Sequence, residues 1–399
     1  MQSTPPPGPS ATPAAGAAPP LLAAFAAVPD PRRAASVVYA LPAVLALAAA
    51  ALLANHPSVL AIAEWGARQE PALLAALGFP GGRPPCQSTL PRLFRRLDGD
   101  ALAVALATGL AALPGPPEAG LRGVAVDGKA PRGRLQDEAG RCPVHALSAF
   151  CHETGVVLAH EPIGAGADQA EAELTVAPAL LARIDWRGRV LTGDALFCQR
   201  GLCRQVVAAG GDDLLLVTAN QPRLHEDIRL LFAPPPGVAL PLLDRREART
   251  WESGHGRRDE ARQLVASTDL GGHLDWPGAT QVFRLERTWR ERGVTKRAVR
   301  YGVTSLGSDR ADAACLLRLR RAHWGIEHRR HRRKDVTFGE DASLIHPGQG
   351  PTVMALLRDA AVSLLHRAGV QRVAARLRAH AQHPDRAIAL VVGPLPTHA

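Results

Sequence analysis

Aromatic residues make up only 4% of this 399-residue chain, and lysine is scarcer still among its 47 basic residues. So few rings argue against a sugar-binding platform, and with it a paired-carboxylate glycosidase. The six cysteines, Cys86, Cys142, Cys151, Cys198, Cys203 and Cys315, form no C-x-x-C pair. That excludes a zinc ribbon or a disulfide frame and fits reduced thiols in a cytosolic protein. No basic start followed by an apolar run opens the chain, so no signal peptide is expected. The one long apolar stretch, Ala34 to Ala54, is mostly alanine, is interrupted by Ser36 and Pro42, and ends at Asn55-His56-Pro57. It reads as a buried helix of an α bundle rather than a membrane span. Acid is also in deficit: 37 acidic residues leave a formal charge of +10 and a pI near 10.1. An anionic partner follows, with nucleic acid ahead of an acidic membrane surface.

Residues 1–19, rich in Pro and Ala, cannot bury enough surface to order themselves and read as a disordered tail. Residues 20–112 carry helical patterns, punctuated by Pro84-Pro85, and read as a small all-α domain with no obvious chemistry. Leu113-Pro114-Gly115-Pro116-Pro117 is a linker. Beyond Arg122 the character changes. Gly123-Val124-Ala125-Val126 reads as a buried strand ending in Asp127-Gly128-Lys129, with the glycine expected to allow a sharp exit. The outline of a phosphate-binding loop here is rejected, because a strand replaces the flexible loop and Ala130 lacks the required hydroxyl. Strands over 145–150 and 155–159 predict a hairpin, 174–181 a helix, and 189–193 a further strand that again ends in an acid, Asp194. Residues 212–219 form one more buried strand. The region from about 222 to 300 reads as an insertion with strand-like runs at 263–268, 281–287 and 296–304. Ser308-Asp309 then reads as the cap of a long helix.

That helix carries the most cationic stretch of the chain. Helical spacing puts Arg320, Trp324, Glu327, His331 and Lys334 on one stripe, so a single carboxylate sits among cations. Such neighbours hold Glu327 ionised when the face is partly buried, as a ligand for a hard divalent cation must be; a DNA phosphate would suit the same face. A zinc hydrolase is disfavoured, since His323, Glu327, His328 and His331 match neither H-E-x-x-H nor H-x-x-E-H.

The stretches V-A-V-D-G-K, V-L-T-G-D-A-L-F-C-Q, G-H-G-R-R-D-E-A-R, Y-G-V-T-S-L, R-A-H-W-G-I-E-H and K-D-V-T-F-G-E-D resemble, in order and spacing, the DDE transposases of the H-repeat-associated group of bacterial insertion sequences. The N-terminal D-P-R, I-A-E-W and Q-S-T-L-P-R-L-F-R-R-L-D resemble that group's accessory domain, and the likeness runs from about Pro29 to Leu365. It implies an α/β fold: an RNase H-like mixed-sheet catalytic domain over 121–370 with a β-rich insertion, followed by a C-terminal tail at 371–399. It also implies a catalytic triad of Asp127, Asp194 and Glu327. Three converging carboxylates need a cation to screen them, and their oxygens suit Mg2+ or Mn2+, with two ions expected. Lys129, Arg320, Arg321, Arg329, Arg332 and Lys334 are the candidate phosphate contacts. The implied partners are double-stranded DNA, as element ends and as target, and further copies of the chain assembled on it, in the bacterial cytoplasm. His328 stands where the group usually has Asn, R-H-R-R-K-D where it has L-H-W-x-L-D, and Thr218 where it has Lys. These departures keep an alternative open, that of an inactive or domesticated copy that only binds DNA.

Overall fold

The computed structural model describes residues 20–113, 120–129, 146–163, 169–234, 242–253, 259–291, 294–326, 337–339, 348–370 and 372–393. Six helices come first: α1 (Pro20–Ala26), α2 (Leu41–Leu53), α3 (Val59–Ala67), α4 (Pro71–Ala76), α5 (Thr89–Phe94) and α6 (Gly99–Ala111). Every residue of α2 but Pro42 is buried. The helix begins later than the apolar run does, because Pro42 sits in its first turn, where the missing N–H costs nothing. Pro42 therefore starts the helix rather than interrupting it. Ser58 caps α3 by accepting from the Ala61 N–H at 3.1 Å, and Asp98 caps α6. Among the described residues no helix is long and apolar enough to cross a membrane.

The chain then alternates strands and helices: β1 (Arg122–Lys129), β2 (Ala146–Cys151), β3 (Val157–Pro162), α7 (Gln169–Ala182), β4 (Arg189–Gly193), α8 (Arg200–Ala208), β5 (Asp212–Val217) and α9 (Pro222–Phe232). β6 (Arg246–Ser253), β7 (Asp259–Ser267), β8 (Gln281–Glu291) and β9 (Val294–Thr304) follow, then α10 (Ala313–Ile326). All nine strands join one sheet in the order β3-β2-β1-β4-β5-β9-β8-β7-β6. β1, β4 and β5 run parallel, and the other pairings are antiparallel. This is the mixed sheet that the RNase H-like expectation requires. The inserted strands are hydrogen-bonded onto it through β5 and β9, from Leu214↔Thr304 to Val217↔Tyr301, so the insertion widens the catalytic sheet.

Strand alternation gives the sheet two apolar faces. Val124, Val126 and Leu191 pack with α7, α8 and α9 on one side. Val190, Leu214, Leu216, Leu264 and Phe283 pack with Leu316, Leu317 and Leu319 of α10 on the other. Asp312 rather than Ser308 or Asp309 caps α10, accepting from the Cys315 N–H at 2.8 Å. The local Ser-Asp pattern fits a cap, but the chain turns four residues further on.

A third core closes the molecule. α11 (Gly350–Arg367), α12 (Val373–Gln382) and α13 (Pro384–Val392) bury Met354, Leu357, Leu377, Ile388 and Val391 against α1 to α6. The stretch expected as a C-terminal tail thus contains two helices, and the first and last thirds of the chain share one apolar interior.

Candidate active site

The site is built where β4 ends. β1 pairs with β4 only as far as Ala125↔Thr192, but it continues along β2 to Lys129↔Ala146. Asp127 therefore lies inside β1, not at its tip, with backbone support on one side and an open edge on the other. Asp127 stands two residues beyond the last β1–β4 pair, still within β1, and Asp194, two beyond it on the other side, is the first residue after β4, in extended backbone at the cap of the short 3-10 turn Ala195–Phe197. The last paired residues, Ala125 and Thr192, lie on adjacent parallel strands whose backbones run about 4.8 Å apart. Alternation puts Ala125 and Asp127, like Thr192 and Asp194, on the face covered by α10. Asp194 is exposed, and its Oδ1 accepts the Leu196 N–H at 2.9 Å.

The loop after Asp194 is braced from β5. Asn220 Nδ2 donates to the Ala195 carbonyl at 2.6 Å, Gln221 Nε2 donates to the Cys198 carbonyl at 3.1 Å, and Thr218 Oγ1 donates to Asn220 Oδ1 at 2.9 Å. Thr218 thus holds the asparagine that holds the loop.

α10 is pinned to the same strand end by buried polar contacts. Arg320, 1% exposed, donates through Nη1 to the Gly193 carbonyl at 3.0 Å. Burial lowers its pKa to about 10, and the charge of Asp194 opposes that shift, so it stays cationic at neutral pH. Thr192 Oγ1 lies 2.9 Å from His152 Nε2 and 3.1 Å from His323 Nδ1, and it reaches the Val124 carbonyl at 3.3 Å. Burial, reinforced by Arg320, pushes His152 down to about 3 and His323 well below its usual value, so both rings are neutral. One threonine hydroxyl therefore joins β1, β4, the turn after β2 and α10. Sequence reading missed His152, Thr192, Asn220 and Gln221; of these Thr192 alone lies inside a quoted motif, and no periodicity marks a polar residue as buried.

Gly128 has a different task from the one expected. It continues the strand instead of turning it, and a Cβ there would fall 2.0 Å from Oε1 of Glu173, a buried carboxylate of α7. Glycine is needed for close approach.

Of the expected phosphate contacts, Arg320 is buried, with Nη1 on the Gly193 carbonyl at the strand end. Arg321 is half-buried and ion-paired with Glu252 of β6. Lys129 ends β1. Glu327, Arg329, Arg332 and Lys334 lie outside the described residues, as does His328. The described part of α10 ends at Ile326, one residue before Glu327. Among the described residues no three His, Cys, Asp or Glu side chains could hold a metal ion together. The described donors are the carboxylates of Asp127 and Asp194, a hard-oxygen set of the kind that suits a divalent cation.

Family comparisons bear on this arrangement. The Transposase DDE domain model matches residues 118–364, and the DDE_Tnp_1-associated model matches residues 22–108. An uncharacterised protein in the dhlA 3' region of Xanthobacter autotrophicus is 30% identical over 71% of this chain and 94% of its own length. Two Escherichia coli proteins whose names describe them as transposases are similar over 61% of this chain: YncI of strain O157:H7 at 29% identity and the H repeat-associated YhhI of strain K12 at 26%. The chain spans only 61% and 63% of these two relatives' lengths.

Proposed function

This chain belongs to the DDE transposases, of the H-repeat-associated type, and on that footing we propose that Asp127, Asp194 and Glu327 form a divalent-metal site that cuts and joins DNA strands. The observation that supports the reading is the register: β1 and β4, neighbouring parallel strands, pair as far as Ala125↔Thr192, and two acids 67 residues apart in sequence, Asp127 and Asp194, each follow that last pair by two residues. Glu327 follows Arg320 by seven residues and His323 by four, the spacing of one helical face, and both of those residues touch β4.

Asp127, Asp194 and Glu327 would together hold a pair of Mg2+ or Mn2+ ions. Bound there, the pair would activate a water or a DNA 3′-hydroxyl and stabilise the leaving oxygen of an in-line displacement at phosphorus. The protein's own part is positional. The Leu196 N–H fixes one Asp194 oxygen and leaves the other to turn toward the cleft, while the brace from Asn220 holds the loop in place. Arg320 offsets part of the negative charge at the strand end, which lowers the cost of keeping the acids ionised before substrate arrives. Lys129, Arg321, Arg329, Arg332 and Lys334 supply charge for the phosphate backbone of element ends and target, on which copies of the chain assemble.

Asp127→Asn, Asp194→Asn and Glu327→Gln should each lower Mg2+-dependent strand cleavage by at least about a thousandfold, with duplex binding in Ca2+ unchanged in a gel-shift assay. Cleavage retained by any of the three would remove that residue from the site.

A further inference from the structure

A cavity of about 350 Å³ lies beyond Arg320, between α10 and strands β5, β7, β8 and β9. Leu216, Leu285 and Leu317 make its floor. Arg262, Arg287, Arg300, Arg320 and Arg321 line it, against one acid, Glu260. Glu260 pairs with Arg262 at 2.7 Å and also with Arg287, and outside the lining Glu252 pairs with Arg262 at 2.8 Å and with Arg321. Two acids therefore serve three arginines; exposed Arg300 has no ion pair among the described residues, and the charge of Asp194 answers part of that of buried Arg320.

Arg262 and Arg287 stand directly opposite each other across β7 and β8, and their repulsion is offset by Glu260, which pairs with both. One feature is costly unless an anion enters: Arg320 has no such relief from a paired acid among the described residues. One of its nitrogens is spent on the Gly193 carbonyl, while Nε and Nη2 are buried with no hydrogen-bond partner. A buried guanidinium with two open donors is expensive, and its planar fork matches two oxygens of a phosphate.

We infer that this cavity binds a phosphate group of the DNA backbone, with Arg320 at its inner end and Arg287 and Arg300 at its mouth. This rests on the reading of the chain as a DNA-processing enzyme, and it adds a site that the three acids do not provide. Because the same guanidinium touches Gly193, the residue before Asp194, a phosphate held here fixes the strand within a short distance of the catalytic acids. The β-rich extension is thereby a wall of the DNA site.

Arg300→Ala and Arg287→Ala in the full chain test it, since Arg300 is exposed and has no ion pair among the described residues, so its removal leaves the fold unstrained. Each variant should weaken binding of a short duplex on the order of tenfold near 0.1 M salt and lower the slope of log affinity against log salt by about 0.9 for each phosphate no longer neutralised. The melting temperature without DNA should stay unchanged for Arg300→Ala. Unchanged affinity and slope in both variants would overturn the site. If inorganic phosphate raises the melting temperature of the wild type but not of the variants, while duplex affinity is the same in all three, the cavity takes free phosphate and the DNA assignment is overturned. The Asp127→Asn protein keeps the two readings apart, because it should bind DNA with the full salt slope and not cleave it.

Discussion

Asp213 of β5 shows how much one side chain can cost. It is 1% exposed, and neither carboxylate oxygen has a hydrogen bond of good geometry. Burial, and then the charge of neighbouring Asp212, push its pKa up to about 7 from 3.8. Between those two values the unfolded chain has released this proton and the folded chain still holds it, so stability is full below the lower value and is lost as pH rises toward 7. The loss is on the order of 4 kcal/mol across that window. Asp213→Asn should therefore raise the melting temperature at pH 8 and leave it nearly unchanged at pH 4. An equal gain at both pH values would mean that something other than the buried charge was relieved. Asp213 reads in the sequence only as one of two acids opening an apolar run. Its burial follows from β5 being central, with β4 on one side and β9 on the other.

At the scale of elements, the join between β5 and β9 decides whether the sheet is continuous. Gly302 sits on that join, and a Cβ there would lie 2.1 Å from Phe283 Cζ and 2.6 Å from the Leu215 carbonyl. Phe283 is fully buried, and the carbonyl belongs to the neighbouring strand, so neither can yield cheaply. Gly302→Ala should destabilise the protein by about 2–3 kcal/mol in urea unfolding, and a second change, Phe283→Leu, should recover part of it. A Gly302→Ala chain as stable as the wild type would show that the two segments are not packed as described. The strand patterns of the insertion were legible from residue type: the runs at 281–287 and 296–304 fall within β8 and β9, and that at 263–268 overruns β7 by one residue. Their attachment to β5 was not, because pairing partners about ninety residues apart leave no local period.

The whole molecule is closed by its two ends. α12 and α13 place Val373, Leu377, Ala387, Ile388, Val391 and Val392 in the core built on α2. Burying side chains of this kind contributes about 1.5–3 kcal/mol each for the larger ones, which together rivals a typical net stability of about 5–15 kcal/mol. Removing residues 371–399 should abolish the cooperative thermal transition or make the chain aggregate, with strong binding of a hydrophobic dye. A truncated chain that melts cooperatively near the full-length temperature would show that these helices are dispensable.

The sequence alone determined the alternation of strands and helices and the cationic excess, since each depends on residue type or on spacing within a few turns. Tertiary structure decided that β1 and β4 run side by side up to two residues before Asp127 and Asp194, that Arg320 turns inward while Arg287 and Arg300 face a shared cavity, and that Gly128 makes room for Glu173. Those outcomes depend on strand register and on which segments meet across the sheet. Both are set by the summed packing of residues far apart in the chain, and no local pattern encodes that sum.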